Sequence, residues 1–451
     1  MISLRNGEVA RDRCAERGTT PGPKLRKRLI PHREALRILL TSTADDSLPK
    51  HVRDELPAII SHWLQSPASP PVLIDKRYGP IWRARLSTYL DSLNSKHLLN
   101  GWHHRSAAKF TIDFSDVPFP PPEKPKFFFI DLFAGIGGFR IALQKLGGKC
   151  LFSSEWNRDA KQTYYENFGE IPFGDIRQFT KTSINDEVLA EIIPSHHILA
   201  AGFPCQPFSK AGVSARNALG QQHGFCCRLQ GTLFFDLLRI AKAKKPRVLF
   251  LENVGDLPVH DGGYTFDTMK RLVQQELKFS FSSCVIDASP LVPQRRKRCY
   301  IVCLRDKRQT FTFPKVTGKP QSLGSILESK VPSRYTISDR LWQGHIARSE
   351  RNIARGAGFV AREASLKMPA GTLVARYYKD GKECLIPQPG NNPRRLTPRE
   401  CARLQGYPEH FLVHPIDPPA YRQFGNAVVV PVIAKLARPI ARRVQNKHVK
   451  R

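Results

Sequence analysis

The chain has 451 residues, 41% of them hydrophobic, enough for two or three domains with real cores. Its 71 Lys and Arg against 39 Asp and Glu leave a formal charge of +32, spread along the chain, which points to a polyanionic partner. No amphipathic anchor accompanies that charge and no apolar run approaches the ~18 residues of a spanning helix, which argues against a membrane partner. Ten Cys without a C-x-x-C pair argue against a disulfide framework and a structural zinc, so no metal is expected. The opening, Met1 to Glu8, has no apolar signal core, and a cytoplasmic protein is expected.

Residues 1–125 carry a basic cluster (Lys24, Arg26, Lys27, Arg28) and a helical pattern from His51 to Leu64, and read as an N-terminal accessory extension. Pro118-Phe119-Pro120-Pro121-Pro122-Glu123-Lys124-Pro125 reads as a stiff polyproline linker closing it. Phe127 to Asp131 and Leu132 then form a buried-strand run, followed by the turn Phe133-Ala134-Gly135-Ile136-Gly137-Gly138 and a helical pattern through Leu146. Strand, glycine turn and helix let a ligand approach backbone closely. The dinucleotide fingerprint wants a third glycine where Arg140 stands, so a nucleoside cofactor without a pyrophosphate fits better than NAD. A second strand, Cys150–Ser154, ends at Glu155-Trp156, an acid for ribose hydroxyls beside an indole for an adenine. Gly174-Asp175-Ile176 adds a further strand-end carboxylate.

The apolar run Ile198-Leu199-Ala200-Ala201 predicts a strand ending at Gly202, followed by Phe203-Pro204-Cys205-Gln206-Pro207. Proline fixes its own φ and restricts its predecessor, so Cys205 is a thiol held between two stiff positions at a strand's carboxyl end. By itself it is equally a buried structural Cys or a nucleophile. Residues 206–230 contain Ser209, Lys210, Arg216 and Arg228 but no acid, with glycines suited to a lid that closes over a phosphate backbone. A helix is predicted from Gly231-Thr232-Leu233 to Ala243, then a strand from Val248 into Glu252, which would face the same crevice as Cys205. Gln294-Arg295-Arg296-Lys297-Arg298 precedes the strand Cys299–Cys303, and alternation sends Arg296 and Arg298 the same way.

Beyond Leu304 the α/β alternation stops and a smaller domain is expected, ending in a β-turn-β signal over 371–381 that includes Thr372 and Arg376. Thr397, Pro398 and Glu400 then spell a capped helix that ends before Gly406. The segment Phe424-Gly425-Asn426-Ala427-Val428-Val429-Val430-Pro431 is expected to return to the first sheet.

A thiol, a glutamate, an arginine pair, a nucleoside pocket and a basic cleft are what methyl transfer to a pyrimidine carbon needs. C5 of cytosine is a poor nucleophile until a thiolate adds at C6. That addition drives charge onto N3 and O2, which calls for an acid at N3 and a cation at O2; Glu252 and Arg296 fit. Electropositive surroundings would lower the thiol pKa, and the base must leave the stack to be reached.

The same residues, motif by motif over about 127–440, resemble the DNA (cytosine-5) methyltransferase family. The stretches around Cys205 and Gly231 look closest to a bacterial branch that includes the chromosomal CC(A/T)GG methylase. The resemblance implies a doubly wound α/β methyltransferase domain (126–304), a target-recognition domain (305–409), a C-terminal segment completing the first domain (410–445) and a basic tail (446–451). It implies S-adenosylmethionine held by Asp131, Phe133, Gly135, Gly137, Gly138, Glu155, Trp156, Asp175, Ile176, Pro204, Leu233, Asn426 and Val428. It further implies Cys205 as nucleophile, Glu252 at N3, and Arg296 with Gln294 and Arg298 around the cytosine and the thiol. Contacts to DNA are expected from Gln206, Ser209, Lys210, Arg216, Arg228, Thr372 and Arg376. The partners are then duplex DNA and a companion restriction or mismatch endonuclease, with the chain itself monomeric. Two alternatives stand beside this reading: an RNA cytosine-5 enzyme on the same site, and a DNA-binding autoregulator using residues 1–125. Ala427 follows Asn426 where the family usually has Ser, a mild departure.

Overall fold

The computed structural model of the chain describes residues 28–43, 50–66, 78–97, 110–204, 233–356 and 360–445. A short parallel pair, β1 (Arg28–Pro31) and β2 (Phe110–Asp113), lies in the N-terminal region. The central sheet contains β3 (Phe127–Leu132), β4 (Gly148–Ser154), β5 (Ile198–Gly202), β6 (Val248–Val254), β7 (Ser282–Asp287) and β8 (Lys297–Leu304), in the order β4-β3-β5-β6-β8-β7. The first four are parallel, and β8 runs antiparallel to both β6 and β7. Sequence order reverses between β3 and β5, so their carboxyl ends open a crevice where α/β sheets place ligands.

The interior strands read as continuous apolar runs because both faces are covered. Ile130, Leu199, Leu249 and Ile301 point into one core, and Phe129, Ala200, Phe250 and Val302 into the other. The second core is closed by the helices Gly138–Gln144 and Val430–Gln445, which place Val432, Ile433, Leu436 and Ile440 against the sheet. The C-terminal segment thus returns to the sheet as a covering helix.

The first core contains the N-terminal region. The helices His32–Ser42, Lys50–Gln65 and Tyr78–His97 contribute Leu36, Leu39, Ile59, Ile60, Trp63, Trp82 and Leu86 to the cluster that holds Ile130, Leu132, Phe152 and Phe173. In the polyproline stretch Pro118–Pro125, Phe119 rests against Phe168, His410 and Phe411. The described helices of the expected accessory extension therefore share a core with the sheet.

Between β8 and residue 398 the described residues hold one long helix, Asp339–Ala354, among short elements. Residues 371–376 do not form the expected β-turn-β; Tyr377–Asp380 is a single helical turn, and the antiparallel pair is β9 (Leu385–Gln388) with β10 (Asn391–Arg395). Thr372 Oγ1 donates to the Arg295 carbonyl and the Leu373 N–H donates to Gln294 Oε1. The Arg295 carbonyl and the Gln294 side chain, both just before β8, thus bond this segment. The helix Pro398–Leu404 has the full capping box, Thr397 and Glu400 each accepting the other's backbone N–H.

Candidate active site

A cavity of about 610 Å³ opens at the carboxyl ends of β3, β4, β5 and β6, within the size range of small-molecule sites. One half of its wall comes from the turn after β3. Phe133 adopts φ 54°, a left-handed conformation rare for an aromatic residue, and Gly135 and Gly137 follow at 55° and 83°. Gly138 starts the helix so close to its neighbours that a Cβ would sit 2.5 Å from Val428 Cγ2 and 2.8 Å from Tyr407 Oη. Glu155, after β4, accepts the N–H groups of Gly135 and Asn157, each at 2.8 Å. Burial holds its carboxyl above the usual range, while those N–H donors oppose the rise. Trp156 beside it is 77% exposed, an indole face presented at the cavity wall. Asp175 also lines the cavity, bonded to Arg177, which lowers its pKa.

The other half is built from β5, β6 and β8. Glu252, the fifth residue of β6, is buried and pairs with Arg298 Nε at 3.2 Å. Desolvation raises its carboxyl above the ordinary value, and the charges of Arg298 and Arg296 oppose that rise. A Cβ on Gly202, the last residue of β5, would stand 3.6 Å from Glu252 Oε2, so the end of β5 abuts this carboxylate. Asn253 Nδ2 donates to the Phe203 carbonyl at 3.0 Å, fixing the backbone just before Pro204, which lines the cavity. Cys205 is the next residue; it lies outside the described residues, as do Gln206, Ser209, Lys210, Arg216 and Arg228.

Alternation about β8 is as expected, with Arg296 and Arg298 turned inward and Arg295 and Lys297 exposed. The two inward arginines nevertheless differ. Arg296 is 1% exposed and gives its guanidinium to three carbonyls, Leu373 at 2.8 Å, Gly425 at 3.0 Å and Ala427 at 2.9 Å. Burial pushes its pKa down to about 10, still cationic at neutral pH. Arg298 alone is bonded to the buried glutamate. Gln294 does not line the cavity; its amide is bonded to the Leu404 carbonyl and the Leu373 N–H. These two side chains tie β8 to the following segments, and Arg296 lines the cavity as well.

Phe133, Gly135, Gly138, Glu155, Trp156, Asp175, Ile176, Pro204, Leu233, Asn426 and Val428 all line the cavity. Two expected contacts do not. Asp131 is fully buried beneath the turn with neither carboxylate oxygen hydrogen-bonded, and burial raises its pKa strongly. Gly137 faces Phe168, whose ring would stand 2.2 Å from an added Cβ, so its role is packing. Thr372 is occupied by the Arg295 carbonyl, and Arg376 is exposed. Asn253, Tyr407 and Gln423 line the cavity without having been singled out from sequence. A buried amide directly after the strand-end glutamate was the available signal for Asn253; nothing local marked the other two.

A family model described as C-5 cytosine-specific DNA methylase matches residues 127–442, beginning at the first residue of β3. The chain belongs to that family. It is 44% identical over 340 residues to the type II methyltransferase M.SsoII of Shigella sonnei, covering 74% of this chain and 85% of that protein. It is 40% identical over 397 residues to the DNA-cytosine methyltransferase of Escherichia coli K12, covering 75% and 83% respectively. Among solved structures, the S. pombe Dnmt2 methyltransferase aligns with a TM-score of 0.53 at 15% identity, covering 70% of this chain and 99% of that one, a likeness of fold. The activity class of this family member is DNA (cytosine-5) methyl transfer, and DNA is its substrate class. No single helix among the described residues is long and apolar enough to cross a membrane.

Proposed function

We propose that the chain transfers a methyl group from S-adenosylmethionine to C5 of a cytosine turned out of a short specific duplex site, through a covalent adduct with Cys205. The observation that carries this reading is Glu252, a buried carboxyl with a raised pKa, paired with Arg298 and abutting the end of β5 that leads to Cys205. The donor chemistry of the other half suits S-adenosylmethionine. Trp156 offers a ring face for adenine, Glu155 and Asp175 offer acceptors for ribose hydroxyls and the adenine amine, and Gly138 leaves room only for backbone. Bound there, S-adenosylmethionine supplies an electrophilic methyl group.

The residues of the chain do the rest. The Cys205 thiolate forms a bond to C6, and the electron pair of the C5–C6 double bond moves into the ring toward C5 and N3. Glu252, whose carboxyl burial holds above the ordinary range, donates a proton toward N3 as negative charge develops there. Arg298 supplies the cation for O2, a role its pairing with Glu252 favours over Arg296. C5 would take the methyl group as the methyl–sulfur bond of the donor breaks and leaves a thioether; loss of the C5 proton to a base then restores the double bond, expels the Cys205 thiolate and returns the N3 proton to Glu252. Arg296 positions the walls through its three carbonyls. Residues 305–409, with residues 206–230, are proposed to meet the duplex.

Incubating the purified chain with tritiated S-adenosylmethionine and varied duplexes tests the activity, and bisulfite sequencing of DNA from cells expressing it reads the target site. Cys205→Ala is expected to abolish transfer while retaining cofactor binding. A folded wild-type protein that labels no duplex would sink the reading.

A further inference from the structure

The N-terminal helix Lys50–Gln65 lies outside the 127–442 family match, yet its buried polar side chains are aimed at the backbone that carries the cavity wall. Glu55 is 5% exposed, and its carboxylate accepts the Gly174 N–H through both oxygens, at 3.0 and 3.1 Å. Gly174 has no room for a side chain, since a Cβ there would stand 2.5 Å from Glu55 Oε1. Two turns along the same helix, Ser61 Oγ accepts the Ile171 N–H at 2.9 Å, and the His62 ring stacks on Phe173 with centroids 4.6 Å apart. On its other side this segment is bonded to β4, the Phe173 N–H donating to the Ser153 carbonyl and the Glu155 N–H to the Phe173 carbonyl. Residues 171–174 are thus held between the helix and β4, and they lead directly into Asp175 and Ile176 of the cavity wall.

The helix end is anchored as well. Gln65 accepts from Arg140 Nη2 at 2.7 Å and donates to the Phe168 carbonyl, while Lys149 donates to the Gln65 carbonyl. Arg140, which replaces the third glycine of the dinucleotide fingerprint, is fully buried and bonded to Glu170 at 2.7 Å. Charged groups buried this deeply are tolerated only with partners on every side. Gln65 supplies one of them from outside the family match.

We infer that Glu55 is a positioning residue for the cofactor site: by holding the Gly174 amide it sets Asp175 and Ile176 at the depth S-adenosylmethionine requires, which makes the N-terminal helix a functional part of that pocket. This rests on the cofactor reading above. The Gly174 N–H is a half-buried donor at the cavity wall, and removing its carboxylate acceptor lets the Asp175 loop shift.

The test uses the full chain with S-adenosylmethionine titrated calorimetrically, alongside methyl-transfer kinetics and thermal melting for wild type, Glu55→Gln and Glu55→Ala. Glu55→Ala is expected to raise Kd and KM for S-adenosylmethionine about tenfold, with kcat and KM for DNA within about twofold. Glu55→Gln keeps one acceptor oxygen and is expected to recover most of that loss. A Glu55→Ala protein that melts lower yet binds S-adenosylmethionine with wild-type Kd would overturn the inference and leave the helix a purely structural role. Should Glu55→Ala not fold, Glu55→Gln decides, with a threefold weaker Kd expected and an unchanged one overturning it. Failure of wild type to bind S-adenosylmethionine would instead remove the cofactor reading itself, and this inference with it.

Discussion

Replacing Arg296 by Met separates the two arginines of β8. Met keeps roughly the length of the side chain and removes three hydrogen bonds, to the carbonyls of Leu373, Gly425 and Ala427 at 2.8, 3.0 and 2.9 Å. Each buried carbonyl left without its donor costs about 1–3 kcal/mol, giving about 3–9 kcal/mol if summed. Neighbouring losses in one network are not additive, and part of the loop can relax, so about 3–5 kcal/mol is the expected loss. At roughly 2 °C per kcal/mol, the low end for a large chain, the melting temperature should fall by about 6–10 °C. Arg298→Met breaks one ion pair at the cavity wall, with a carboxyl that can take up a proton instead. It should therefore leave melting nearly unchanged and lower kcat strongly. Differential scanning calorimetry and single-turnover transfer on both variants read the contrast. An Arg296→Met protein that melts like wild type but loses catalysis, beside an active Arg298→Met, would refute the assignment and return the O2 cation to Arg296.

Two further outcomes follow from the same geometry. Glu252→Gln should slow transfer by about 10²-fold or more, as for loss of a positioned acid. Because burial raises the Glu252 pKa, the protonated form that donates to N3 persists above the ordinary glutamate range and is lost as pH rises through the raised value. The alkaline limb of the kcat profile should accordingly disappear in Glu252→Gln; a limb that survives the substitution belongs to another group. Gly138→Ala places a Cβ 2.5 Å from Val428 Cγ2 and 2.8 Å from Tyr407 Oη, and overpacking of this kind costs about 1–3 kcal/mol. Calorimetric titration should show weaker cofactor binding, and an unchanged Kd would mean that the turn relaxes freely.

The residues themselves determined the local features. The apolar runs of β3, β5, β6 and β8 marked strands because burial on both faces leaves no polar position to interrupt them. The glycine turn, the Glu155-Trp156 pair and the strand-end Glu252 follow from where each strand stops, and Thr397, Pro398 and Glu400 fix a helix start by capping chemistry. Tertiary structure alone decided depth and partnership. Alternation turns Arg296 and Arg298 to one side of β8, but it cannot say that the first meets carbonyls 77 and 129 residues away while the second meets Glu252. Asp131 and Gly137 sit in the right motif and miss the cavity, because a turn exposes some of its residues and buries others against neighbours such as Phe168. The N-terminal helix belongs to the catalytic sheet for the same reason. Its apolar stripe shows that it must be covered, and only the folded chain supplies what covers it.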